Sequence, residues 1–149
     1  LTENRDMIYD AVLMMQREVA QRLTSPHGNK DYGILAVLIQ LYSVPKILFS
    51  VPPEAFFHKP RVTSSVVKFK FPEDIHKDID YKLLSEIVKK SFGKRRKTMR
   101  NSLKEFFLEK NIEQENIDFD FTRRPESLSI DEFLSLTEEV VKLISLKNI

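Results

Sequence analysis

Residues 11–15, Ala-Val-Leu-Met-Met, form a short, continuously apolar run. Such a run reads as a strand buried on both faces, as in a parallel sheet. Residues 17–23 then have the character of a short helix. Pro26-His27-Gly28 marks a turn, and Asp31-Tyr32-Gly33 leads into a second helix over 34–41. Residues 46–51 predict a strand, which Pro52-Pro53 stops because proline cannot donate to a ladder. Residues 62–71 have strand composition, with Val67, Phe69 and Phe71 alternating onto one face. The order is strand, helices, strand, long loop, strand. That order fits the last third of an open α/β sheet, with its final two strands antiparallel.

The pattern changes at Pro72. Residues 73–80 are polar and acidic, as a linker would be, and the remainder has helical periodicity. Leu83, Leu84, Ile87, Val88 and Phe92 fall on one stripe, and Met99, Leu103, Phe106 and Phe107 on the next. The last helix announces its start. Ser129 is placed to cap it, Glu132 stands three residues on, and Leu128 with Phe133 supplies a hydrophobic staple. Phe133, Leu136, Val140 and Ile144 then line its buried face. The expected architecture is α/β plus all-α. Residues 1–72 form an incomplete sheet domain, and 73–149 a small helical domain. Three strands and two helices make a poor independent core. The sheet is therefore expected to be completed by chain not contained in this sequence.

Composition narrows the chemistry. The 149 residues contain 11 Phe and 42% apolar residues, enough for a packed core. Without Cys there are no disulfides and no thiolate metal sites, which fits a reducing, cytoplasmic setting. His27, His58 and His76 lack zinc-ligand spacing. No apolar run reaches the roughly 20 residues that span a bilayer, so neither a metal nor a membrane is expected.

Charge narrows the class of partner. The chain carries only +2 overall, yet five of the seven residues from Lys94 to Arg100 are cationic. No acid occurs from Ile87 to Lys104, whereas the stretch from residue 105 onward is strongly acidic. Concentrated positive charge attracts phosphate and gains entropy by releasing counterions. An ordinary solvated helix face is the competing explanation, but it would intersperse acids. Placed on a continuous helix, Lys94, Lys97, Asn101 and Lys104 oppose the apolar stripe, and Arg96 and Arg100 sit at its edge, held partly by packing. A nucleic acid is the expected partner.

The loop from Val51 to Val62 puts Phe56 and Phe57 on a proline-stiffened segment after a strand's carboxyl end, where sites in open α/β sheets gather. An aromatic there could stack on a base or simply plug the junction between domains. Gln16-Arg17-Glu18 reads as a helix start with an acid near its positive end. No glycine-rich phosphate cradle, Ser/His/Asp set or metal box is present.

Together these segments resemble one family. Residues 15–23 (Met-Gln-Arg-Glu-Val-Ala-Gln-Arg-Leu), Asp31-Tyr32-Gly33 with Gln40 and Tyr42, and Val51-Pro52-Pro53 with Phe56, Pro60, Val62 and Ser64 carry the likeness. So do residues 92–103, and Arg124 to Ser129 with Phe133. In order and spacing they resemble the rRNA adenine N6,N6-dimethyltransferases, in the bacterial small-subunit branch. The resemblance implies the C-terminal portion of a Rossmann-like methyltransferase followed by a helical docking domain. It implies S-adenosylmethionine as cofactor and two adjacent adenosines near the 3′ end of small-subunit rRNA as substrate. The implied partner is the immature small ribosomal subunit. It also implies that Phe56 stacks on the target adenine and that Lys94, Arg95, Arg96, Lys97, Arg100 and Asn101 contact rRNA phosphate. The glycine-rich cofactor loop, the acidic ribose ligand and the Asn-Leu-Pro-Tyr catalytic motif of the family are absent, so this chain alone is expected to be inactive. His58 replaces the first proline of the family's Phe-x-Pro-x-Pro loop. The alternative is a non-catalytic nucleic-acid-binding module, either a ribosome assembly factor or a relative of transcription factors.

Overall fold

The computed structural model describes residues 8–72, 79–94 and 96–147. Its elements are β1 (Asp10–Gln16), α1 (Arg17–Leu23), α2 (Ile34–Gln40), β2 (Val44–Val51), β3 (Ser64–Lys70), α3 (Tyr81–Gly93), α4 (Met99–Glu109) and α5 (Ile130–Lys147). They gather into two compact units. Residues 27–34 group with the helices that follow β3 and not with the sheet that surrounds them in sequence.

In the sheet unit the strand order is β1-β3-β2, and both outer strands run antiparallel to β3. Ala11 lies opposite Phe69 and Leu13 opposite Val67. Ala20 and Leu23 of α1 close over Val67, Phe69 and Phe71 on this side, with Ala11, Met15, Ile39 and Ile47 packed around them. Gln40 fastens the end of α1, its side-chain amide donating to the carbonyls of Leu23 (2.8 Å) and Ser25 (3.0 Å). The other side of the sheet is different. Val12 is 56% exposed, Met14 55% and Phe49 58%. Within this chain β1 is paired along one edge only, antiparallel to β3, and the described residues do not supply the burial on both faces that its apolar run calls for. An apolar run records that both faces are greasy, but neither the direction of the neighbouring strand nor what covers each face. Leu48 is the extra residue of a bulge, since Ile47 pairs with Val67 and Phe49 with Val66.

In the helical unit the apolar stripes read from the sequence are the buried ones. Leu84, Ile87, Val88, Met99, Leu103, Phe106, Leu128, Phe133 and Val140 are all excluded from solvent. Asp80 caps α3 by accepting from the Leu83 N–H at 3.0 Å. At α5 the capping box is reciprocal: the Ser129 N–H donates to Glu132 (2.8 Å), and the Glu132 N–H donates to the Ser129 hydroxyl (3.2 Å). Leu128 and Phe133, the staple pair, are fully buried beside it. Tyr32 anchors the 27–34 segment to these helices. Its ring meets Phe92 edge-on at 6.1 Å, and the Gly28 N–H donates to the Glu126 carbonyl at 2.7 Å. Burial pushes the Tyr32 phenol well above the usual range, and the nearby Glu132 carboxylate adds to the shift. Of the expected linker, residues 73–78 lie outside the described residues.

Candidate nucleic-acid interface

The cationic segment is not one helix. α3 ends at Gly93, and α4 begins only at Met99, after a capping residue, Thr98, in extended conformation. Lys94, Arg96 and Lys97 therefore occupy a connection, and a continuous helical wheel does not apply to them. Arg95 lies outside the described residues. Arg96 and Arg100 are both exposed, which corrects the expectation that packing holds them. The stripe of Met99, Leu103, Phe106 and Phe107 consumes the apolar side of α4 and leaves position 100 facing water.

Acids absent from the local sequence arrive through the fold. Lys94 bonds Glu105 at 3.0 Å, Lys90 approaches Glu109 at 3.7 Å, and Arg100 approaches Glu115 at 3.7 Å. The hydrogen bond from Lys94, with its charge, holds the Glu105 carboxyl below the usual carboxylate range. These pairs are solvent-exposed and weak. They lower the net field without locking the cations in place. Arg96, Lys97 and Lys104 engage no acid among the described residues. Asn101 is exposed and its amide reaches only the Thr98 hydroxyl, at 3.4 Å.

The start of α4 is closed to anions. The Met99 N–H donates to the Arg123 carbonyl (2.8 Å) and the Arg100 N–H to the Phe121 carbonyl (2.9 Å). Asn101 and Ser102 donate to Thr98. With those N–H groups taken, phosphate can be met here only by side chains. Arg123 also reaches α5, its guanidinium engaging both Glu132 oxygens and the Ser127 carbonyl. Burial opposes ionisation of Glu132, yet Arg123 and the Ser129 N–H together hold its pKa below the ordinary value. The sequence reading did not find the role of Arg123. Its partners range from Met99 to Glu132, and no local pattern announces them.

In the sheet unit, Gln16 and Val51 both pair with Ser64, so the carboxyl ends of β1 and β2 flank the start of β3. The loop carrying Phe56 leaves from this edge. Residues Pro53–Ala55 form one 3-10 turn, closed by the Phe56 N–H donating to the Pro53 carbonyl at 3.2 Å. A Lys59–Glu54 ion pair of 2.7 Å spans the loop's base. Phe56 is half-buried, whereas Phe57 is 98% exposed with its ring edge-on to His58. The structure thus places Phe56 in one unit and the basic residues in the other.

Comparison with known proteins gives the family. The sequence profile of "Ribosomal RNA adenine dimethylase" matches residues 1–142. The chain belongs to this dimethylase family. It is 40% identical over 144 residues to "Ribosomal RNA small subunit methyltransferase A" of Alkaliphilus metalliredigens, covering 93% of this chain and 50% of that protein. It is 41% identical over 140 residues to the protein of the same name from Bacteroides thetaiotaomicron, covering 94% and 52%. The dimethylase chain thus spans about half the length of the curated relatives it matches. In fold it is similar to a dimethyladenosine transferase from Plasmodium falciparum, with a TM-score of 0.74 and 21% identity, covering 91% of this chain and 58% of the other.

Dimethylases are methyltransferases of the kind that uses S-adenosylmethionine, and the three glycines of this sequence, at 28, 33 and 93, form no Gly-x-Gly cradle. Among the described residues no group of three His, Cys, Asp or Glu is placed to hold a metal, and no helix is long and apolar enough to cross a membrane.

Proposed function

We propose that this chain is the RNA-docking half of an enzyme that dimethylates N6 of two adjacent adenosines near the 3′ end of small-subunit rRNA, with S-adenosylmethionine as methyl donor. Its partner is the immature small ribosomal subunit, and its setting is the cytoplasm. The observation that carries this reading is the dimethylase match combined with exposed, unengaged cations at Arg96, Lys97 and Lys104. Lys94, Arg95, Arg96, Lys97, Arg100 and Asn101 meet rRNA phosphate through side chains. Such contacts fix position and register without reading sequence. Phe56 stacks on the adenine drawn out of its helix; an aromatic face serves any base, so the choice of adenosine comes from how the RNA is held. The domain roles follow: residues 1–72 belong to the methyltransferase domain and 73–149 dock it.

The test is binding of unmethylated small ribosomal subunits by the 149-residue chain, run beside labelled methyl transfer by this chain and by the protein at its relatives' length. Binding by both with transfer only by the longer form is the expected result. Absence of binding by the 149-residue chain, even at low salt, overturns the docking role. Binding by both with transfer by neither would make the protein a non-catalytic assembly factor.

A further inference from the structure

A concave site of about 510 Å³ opens in the sheet unit at the same edge from which the Phe56 loop leaves. It is lined by Gln16, Arg17, Glu18, Gln21, Arg61 and Thr63. Its two halves are joined by the backbone. The Arg17 N–H donates to the Thr63 carbonyl at 3.0 Å, which fixes position 17 beside the strand entry that Arg61 precedes by two residues. Both arginines are exposed, and neither side chain has an ionic or hydrogen-bonded partner among the described residues. The one acid in the lining, Glu18, is already engaged by Arg22 at 2.5 Å. The concavity therefore holds two uncommitted guanidinium groups, two amide side chains able to donate, and one carboxylate whose charge is met elsewhere.

We propose that this concavity is a second RNA site, in which Arg17 and Arg61 clamp a backbone phosphate of the substrate strand next to the stacked adenosine. The inference rests on the reading of Phe56 as the stacking residue, because that reading brings the RNA strand to this edge. Guanidinium forks suit the site, since each can offer two parallel N–H donors to one phosphate group. Gln16 and Gln21 can donate to remaining phosphate or ribose oxygens. The site would hold the strand from the sheet unit, independently of the cations in the helical unit. It would act on position and affinity and leave the methyl donor untouched.

The experiment uses the full-length protein and unmethylated small subunits, with binding measured across a salt series. Arg17→Ala with Arg61→Ala is expected to weaken binding about tenfold and to flatten the slope of log affinity against log salt by about one. Affinity for S-adenosylmethionine should not change. Arg17→Lys with Arg61→Lys should keep the original slope, because the charges remain. The proposal is overturned if the alanine pair binds with the original affinity and slope, if it loses the cofactor in parallel, or if the lysine pair is as impaired as the alanine pair. Arg96→Ala with Arg100→Ala, measured alongside, separates the two readings. A loss in that variant with none in Arg17/Arg61 removes this site and leaves the docking role standing. A loss in neither removes both.

Discussion

The sheet unit and the helical unit solve the burial problem differently. The helical unit closes on itself: three amphipathic helices point their stripes inward, and Leu103, Phe106 and Phe133 see no solvent. The sheet unit covers one face with α1 and leaves Val12, Met14 and Phe49 in water on the other. The first buries its apolar stripes against its own elements, whereas the second covers a single face of its sheet. The lesson is that a compact unit need not be a self-sufficient one. The exposed cations at Arg96, Lys97, Arg100 and Lys104 belong to the unit that closes on itself.

The comparison breaks most directly by removing one aromatic from each unit. Phe133→Ala should cost about 3–5 kcal/mol in chemical denaturation, whereas Phe49→Ala should cost less than about 1 kcal/mol. Equal costs would mean that the sheet face is buried after all. The units should also separate in function. Phe56→Ala, made at full length, should lower turnover at least tenfold with little effect on subunit affinity. Arg96→Ala with Arg100→Ala should do the reverse, with a flatter salt slope. An unchanged slope would take phosphate contact away from those arginines.

Smaller effects sharpen the picture of the helical unit. Ser129→Ala should cost about 1 kcal/mol by opening the capping box. Because the pKa of Glu132 is lowered in the fold, its contribution is fully present above the unfolded value, near about 4.3. It is lost as pH falls through the lowered folded value. Glu132→Gln should flatten that part of the acid limb in a pH series of unfolding curves, and an unaltered limb would assign the dependence to other carboxylates. Smallest of all, Glu105→Gln should strengthen RNA binding by roughly two- to fivefold, by releasing Lys94. Weaker binding would show that the pair holds Lys94 where RNA needs it.

Much of this was legible in the sequence, for identifiable reasons. α1 lies where the pattern put it, and α2 ends within one residue of its expected limit, because apolar spacing and turn residues are local signals. The α5 cap was legible to the atom, since Ser129 and Glu132 act within one turn. The antiparallel pairing of the last two strands was legible as well, but the antiparallel partner of β1 was not, because the run at 11–15 is equally apolar beside a parallel or an antiparallel neighbour. The cationic stretch misled in a different way. Read alone, 87–104 has no acids, but Glu105, Glu109 and Glu115 are folded back against it. The family likeness named Phe56 and the basic set, while the clustering of Arg17 with Arg61 needs the strand register that brings 17 to 63.

The two helix starts held by residues near Arg123 differ in how much sequence change they tolerate. The start of α5 depends on particular side chains: the Ser129 hydroxyl, the Glu132 carboxylate and the Arg123 fork. The start of α4 depends on main-chain carbonyls at Phe121 and Arg123, and Thr98 holds it without any side-chain cap. Main-chain groups survive substitution. The cations around α4 can therefore be added, removed or exchanged one at a time while the helix that presents them keeps its footing. A lineage could retune the positive charge of this surface in small steps, with none of them passing through a misfolded ancestor.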